Sequence, residues 1–199
     1  EIETAVKEIA SAMNGKGTLR VVSAGSVPVT EYQGKPSGVS DFTLEALKNP
    51  VSKNVSIDLA LRLATNDLIN SAKKRAVIMV SDGETSSSAF SKYTLSEITS
   101  YLNNNSVGFS FIQLNQSSVK DEYNYLIENT QGELYYVYRC EGLSSIVQDL
   151  IDYPQGVYQI SFTSSLSTSF GERFLPLEIE VYMMNRSGRD ETGYFAPLE

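Results

Sequence analysis

Residues 75–81, Arg-Ala-Val-Ile-Met-Val-Ser, form an apolar run that breaks at Ser81-Asp82-Gly83-Glu84. A continuous apolar run without alternation suits a strand covered on both faces of a parallel sheet. Parallel strands need long crossovers, usually helices, so this strand commits its surroundings to an α/β architecture. It also places an aspartate at a strand tip, where open α/β sheets gather their ligands.

The chain around it supplies the alternation. Ile2, Val6, Ile9 and Met13 recur at helical spacing until Asn14-Gly15. "TLRVVSAG" from Thr18 reads as a short strand, and "VPVTEYQGKP" from Val27 as a second strand running into a turn. "SDFTLEALKNP" predicts a short helix stopped by Pro50. A longer helix follows Ser56, with Ile57, Leu61, Ala64 and Leu68 on one face. Thr94-x-x-Glu97 is a capping box opening the next helix, and "VGFSFIQLN" from Val107 is another strand. Ser118-x-x-Asp121 opens a helix that Gly132 closes, then come the strand "ELYYVY" and the helix "LSSIVQDLID", stopped before Pro154. The expectation for residues 1–153 is an α/β domain with helices on both faces of a mostly parallel sheet. Its four buried strands begin at Thr18, Arg75, Val107 and Glu133.

Residues 154–199 read differently, as a C-terminal β extension. "GVYQISFTSS" and "FLPLEIEVYMM" predict an antiparallel hairpin joined by the loop "SLSTSFGER". Leu175, Leu177, Ile179, Val181 and Met183 alternate with Pro176, Glu178, Glu180 and Tyr182, giving one buried and one wet face. A lone hairpin is marginal in water, so the apolar face needs a surface to pack on. "NRSGRDETGYFAPLE" reads as a polar tail, with Asp190-Glu191 solvated.

Composition narrows the function. The chain has 199 residues, of which 41% are hydrophobic, enough for a buried core. A net charge of -8 argues against a nucleic-acid surface, and Lys73-Lys74-Arg75 reads as a solvated helix end. No apolar stretch is long enough to span a membrane. The absence of histidine excludes Ser-His-Asp and Cys-His catalysis and His-ligated zinc. Cys140 stands alone, without an internal disulfide or a cysteine zinc cluster. G-x-S-x-G, P-loop and G-x-G-x-x-G patterns are missing, so an enzyme is not expected. Abundant Ser, Asn and Tyr suit an extracytoplasmic bacterial protein. The chain starts inside a helix without an initiator Met or a signal peptide, and the expectation is a parent protein that extends upstream of Glu1.

The strand "AVIMVSDGE", preceded by "NVSIDLALRLA", resembles the von Willebrand factor A (VWA) domain, whose fourth strand is apolar and ends in Thr/Ser-Asp-Gly. The resemblance covers nearly the whole chain, its C-terminal strand pair included. It implies a Rossmann-like three-layer α/β/α fold and a metal-ion-dependent adhesion site. Asp82 would be a metal ligand there. Asn54, four residues before the helix-start Asp58, stands where the family carries a Thr. Ser52, Glu84, Thr85 and Ser86 would form the rim. The family's Asp-x-Ser-x-Ser motif is not found; Asp41–Glu45 and Asp82–Ser86 do not match it. In the family order, "TLRVVSAG" and "RAVIMVS" flank the strand that carries this motif. The resemblance therefore implies another strand between them, from upstream residues, a partner chain or the tail.

A hard cation such as Mg²⁺, or Ca²⁺ or Mn²⁺, takes carboxylate, amide and hydroxyl oxygens of the kind Asp82, Asn54 and Ser52 offer. The plainer alternatives are that Asp82 caps its own loop, that Ser56 caps the next helix, and that Thr85–Ser88 is a polar loop. Tyr135, Tyr136 and Tyr138 read as packing residues. The site in this chain is expected to be degraded or empty of metal. The function the resemblance implies is a binding or adhesion module for another protein or an extracellular ligand. The alternatives are a metal-independent scaffold and, below it, a carboxylate-based hydrolase.

Overall fold

The computed structural model describes residues 1–41, 54–137, 143, 145–152, 160–184 and 186–196. The elements in order are α1 (Ile2–Ala12), β1 (Leu19–Ser23), β2 (Val29–Gly34), a 3-10 turn (Pro36–Asp41), α2 (Ile57–Asn66) and β3 (Arg75–Ser81). Then follow α3 (Leu95–Asn104), β4 (Val107–Gln113), α4 (Asp121–Thr130), β5 (Leu134–Tyr136) and α5 (Ser145–Asp152). A 3-10 turn (Ser169–Gly171), β6 (Phe174–Met183) and β7 (Arg186–Phe195) complete the chain. No helix among the described residues is long and apolar enough to cross a membrane.

Three layers form around the parallel sheet β3-β4-β5. β4 is central and buried at every residue. Its Phe109 and Phe111 share one cluster with Ile57 and Leu61 of α2, Ile98 and Leu102 of α3, and Tyr123 and Leu126 of α4. Ile112 faces the other way, into a cluster with Ala5 and Ile9 of α1 and Ile146 of α5. Strand alternation thus sorts the β4 side chains between two helical layers. Local signals set the helix ends. Thr94 and Glu97 form both bonds of the capping box, and α4 stops at Gln131 in the left-handed region (φ 60°). Gly132 then passes so close to β4 that a Cβ there would lie 1.7 Å from the Phe109 carbonyl oxygen.

Several expectations are corrected. "TLRVVSAG" does not join the parallel sheet: β1 pairs antiparallel with β2 in a two-stranded sheet, leaving three parallel strands. A short connection of Ala24–Pro28 favours such a hairpin over a crossover, which needs a dozen residues or more. β3 is half-buried along its length instead of fully buried, because it has a neighbour on one side only among the described residues. β1 and β3 do not pair with each other, as the family order implies, yet no strand of the described residues lies between them. α4 starts at Asp121 with Lys120 as its N-cap, and Ser118 does not cap it. Ser56 occupies the N-cap of α2, but its hydroxyl makes no cap bond and reaches Ser26 O at 3.4 Å.

The C-terminal hairpin is antiparallel as expected, but its strands are β6 and β7. Residues 160–165 of "GVYQISFTSS" are not in a strand, and 156–159 lie outside the described residues. The segment read as a polar tail is β7. Residues 186–191 are exposed on both faces, so β7 carries no apolar alternation to read. Only its end is buried: Phe195 joins the core cluster and meets Tyr93, Tyr101 and Phe174 edge-on at 4.6, 4.9 and 5.0 Å. The apolar face of β6 packs at its base alone, with Leu175 buried, Leu177 and Ile179 half-buried and Val181 exposed. The expected helix at 40–50 lies beyond Asp41 outside the described residues, as do Ser52, Tyr138 and Cys140.

Candidate functional site

β3 ends at Ser81, and the chain turns sharply at Gly83 (φ +83°). Gly83 is buried against Gln113, and a Cβ there would lie 2.8 Å from both Nε2 and Oε1 of that amide. Only glycine meets both demands, the left-handed backbone and the close approach. The turn is further held by its own side chains. Asp82 Oδ1 accepts from Glu84 N at 3.0 Å and from the Ser81 hydroxyl at 3.3 Å, while Gly83 N donates to Ser81 Oγ at 3.1 Å. Two amides at the end of β4 hold its backbone: Gln113 Nε2 and Asn115 Nδ2 donate to Asp82 O at 3.0 and 2.7 Å. The Asp82 carboxylate is therefore exposed on a backbone fixed from below.

The rim residues have partners of their own. Glu84 pairs with Lys120 at 3.1 Å, and Lys120 Nζ also donates to Thr85 Oγ1 at 3.4 Å. Ser86 donates to Val55 O at 3.1 Å, accepts from Val55 N at 3.3 Å, and lies 2.9 Å from the Ser88 hydroxyl. Ser86 thereby ties the segment containing exposed Asn54 to the loop that begins at Asp82. Ser56 N donates to Gly25 O at 2.9 Å, which brings the β1–β2 turn to the same end of the molecule. Below the loop, the Tyr123 phenol is pushed up, first by burial and then by the carboxylates of Glu122, Asp82 and Glu84.

Asp58 is wholly buried, and its role is structural. Its Oδ2 accepts from Lys92 N and Tyr93 N at 2.8 and 2.9 Å, pinning the loop that leads into α3. The sequence reading missed Gln113, Asn115 and Lys120. The polar end of an otherwise apolar strand, Gln113-Leu114-Asn115, is the signal that could have found the first two.

A divalent cation needs about six oxygens. Asp82 offers one carboxylate, with Oδ1 engaged by its own turn, and Glu84 is neutralised by Lys120. Among the described residues no three Asp, Glu, His or Cys side chains gather as a metal group. Asp82 fits as one ligand of a hard cation, and the described residues do not complete its shell.

No family sequence profile matches the chain, and no curated protein sequence does. Solved structures do. The SpRpn10 VWA domain shares 16% identity at a TM-score of 0.53, over 79% of this chain and 86% of that one. A von Willebrand factor type A protein from Catenulispora acidiphila shares 12% identity at a TM-score of 0.48, over 74% of this chain and 36% of that one. At these identities the likeness is one of architecture, and the chain has the VWA-type α/β/α fold.

Proposed function

We propose that this chain is a protein-interaction module that receives its ligand at the end of the sheet around Asp82. The observation that carries the reading is the exposed carboxylate on a backbone clamped by Gln113 and Asn115. A binding loop gains by being held in its bound shape, because less ordering remains to be done on association. VWA domains are in general interaction modules, which supports the reading. In this reading the chain acts by binding.

In the cation-dependent form of this reading, Asp82 and Asn54 give the chain's ligands to Mg²⁺, and the binding partner supplies further oxygens. Calorimetric titration with MgCl₂ tests that form. Heat at micromolar to low-millimolar metal, lost in Asp82→Ala with an unchanged circular dichroism spectrum, supports it. The second reading is a metal-independent surface, favoured by the Lys120–Glu84 pair, which places an ammonium group where a cation site would gather anions. No heat in the wild-type chain selects the second reading. If Asp82→Ala leaves binding of an identified protein partner unchanged, with and without EDTA, both fail.

A further inference from the structure

Asn14-Gly15, the only Asn-Gly step in the sequence, sits in an open turn between α1 and β1. Both residues are exposed and left-handed, Asn14 at φ 47° and Gly15 at φ 71°. Asparagine visits this region because its short polar side chain fits there, and glycine because it has no Cβ. The amides on either side are engaged: Asn14 N donates to Ser11 O at 3.0 Å and Lys16 N to Met13 O at 2.9 Å. Gly15 N lies between them and donates to no described residue. A Cβ on Gly15 would meet nothing within 4 Å, so the space beside this nitrogen is open.

We propose that Asn14 is a self-modification site, at which the free Gly15 nitrogen converts the asparagine into isoaspartate and aspartate through a succinimide. Gly15 N attacks Asn14 Cγ, and the new C–N bond closes the ring. The Cγ–Nδ2 bond breaks, and the side-chain nitrogen leaves as ammonia with the proton that Gly15 N gives up. Water then opens the ring. Addition at the Asn14 main-chain carbonyl gives isoaspartate, and addition at Cγ gives aspartate. Water is the only co-reactant.

Two other steps show what the fold adds to the motif. Asn70-Ser71 and Asn105-Ser106 also place a small residue after an asparagine. There the attacking nitrogen is tied up: Ser71 N donates to Leu68 O and Ser106 N to Asn103 O, both at 2.9 Å. The Asn105 amide is held as well, donating to Tyr101 O at 2.8 Å. Attack at either step needs these bonds opened first, so local opening adds to the cost of the chemistry.

The product bears on α1. Conversion takes the net charge from -8 to -9 and sets a carboxylate just past the helix C-terminus, where no basic residue in the last turn offsets it. Isoaspartate also adds a methylene to the main chain between α1 and β1, which pack together through Val6, Ala10, Leu19 and Val21. None of the residues around Asp82 takes part, so the site stands apart from the binding reading.

Peptide mapping by mass spectrometry, with isoaspartate resolved from aspartate by chromatography, tests the site in the native chain and in urea during incubation in warm, mildly alkaline buffer. Asn14 should convert in the native chain within about threefold of its rate in urea, whereas Asn70 and Asn105 should be slowed roughly tenfold or more by folding. Gly15→Ala, which sets a methyl group beside the nucleophile at an exposed position, should slow conversion at Asn14 with the circular dichroism spectrum unchanged. Protection of Asn14 by tenfold or more on folding overturns the proposal, as does an absence of conversion there in both states. Equal native rates at all three asparagines, or an unchanged rate in Gly15→Ala, do the same.

Discussion

The guanidinium of Arg62 lies over the ring of Phe195, its central carbon 4.4 Å from the ring centroid. Arg62 is 5% exposed and comes from α2, whereas Phe195 ends the last strand. Its Nη1 donates to the Tyr93 hydroxyl at 2.9 Å and its Nη2 to the Gly171 carbonyl; Tyr93 in turn donates to Glu172 O at 2.8 Å. One buried cation therefore holds a helix, a loop and the base of the hairpin together. A desolvated cation–π contact contributes about 2 kcal/mol, and a hydrogen bond to a charged group about 1.5–3.

Replacing Arg62 by Lys keeps the charge but loses the planar stack and the forked donors. The expected loss is roughly 2 kcal/mol in urea unfolding, and more for Arg62→Ala, which leaves Gly171 O unpaired. Faster tryptic cleavage at Arg186 and Arg189 should accompany it, because the base of the hairpin loosens. An Arg62→Lys variant as stable as wild type would deny the stack its role.

Asp58→Asn should destabilise by about 2–3 kcal/mol. Asp58 accepts from three backbone N–H groups, of Leu59, Lys92 and Tyr93. An Asn presents one oxygen and one donor, so a donor must face a donor in a wholly buried site. Thermal unfolding measures the loss. If Asn is tolerated, the loop before α3 does not depend on this anchor.

Elements with a strong local period were legible in the sequence: α1, α3 and β4 lie close to where the pattern puts them. What failed was pairing. Nothing in "TLRVVSAG" says that its partner is β2 and not the parallel sheet, since hydrogen-bond partners are chosen by connection length and tertiary contact. β7 was invisible because an exposed ribbon needs no apolar alternation, and Arg186–Glu191 has none. At the site, Ser81-Asp82-Gly83 marked the turn correctly. Lys120 was unreadable, because it meets Glu84 only through folding across 36 positions.

The tyrosines set an alkaline limit. Burial pushes the Tyr101 phenol up to about 12, with nearby Arg62 opposing. Its ordinary value is about 10, so the folded state favours the neutral form. That contribution is complete below pH 10 and is lost as pH rises towards 12, where the unfolded chain ionises first. Tyr123 and Tyr135 shift in the same direction, chiefly through burial. Absorbance at about 295 nm should therefore show exposed phenols ionising first and a second, cooperative phase coincident with unfolding. Tyr101→Phe should shallow the loss of stability between pH 10 and 12. A single non-cooperative phase would mean that these phenols are not buried.

The last test separates the two halves of β6 on one face. Leu175 is 1% exposed and Val181 59%, though their side chains point the same way from one strand. Leu175→Ala removes a buried side chain paired opposite Tyr194 and should cost about 2–4 kcal/mol. Val181→Lys changes an exposed position and should stay within about 0.5 kcal/mol. Val181 pairs with Gly188, so a lysine there stands directly opposite no side chain. The contrast comes from where the ribbon meets α3: Asn104 Nδ2 bonds to Gly193 O and Thr192 Oγ1 of β7 at 2.5 and 2.8 Å, and the ribbon beyond that contact is exposed. Chemical denaturation of the two variants reads both numbers. A large loss in Val181→Lys would show the distal ribbon covered by the chain's own residues in solution.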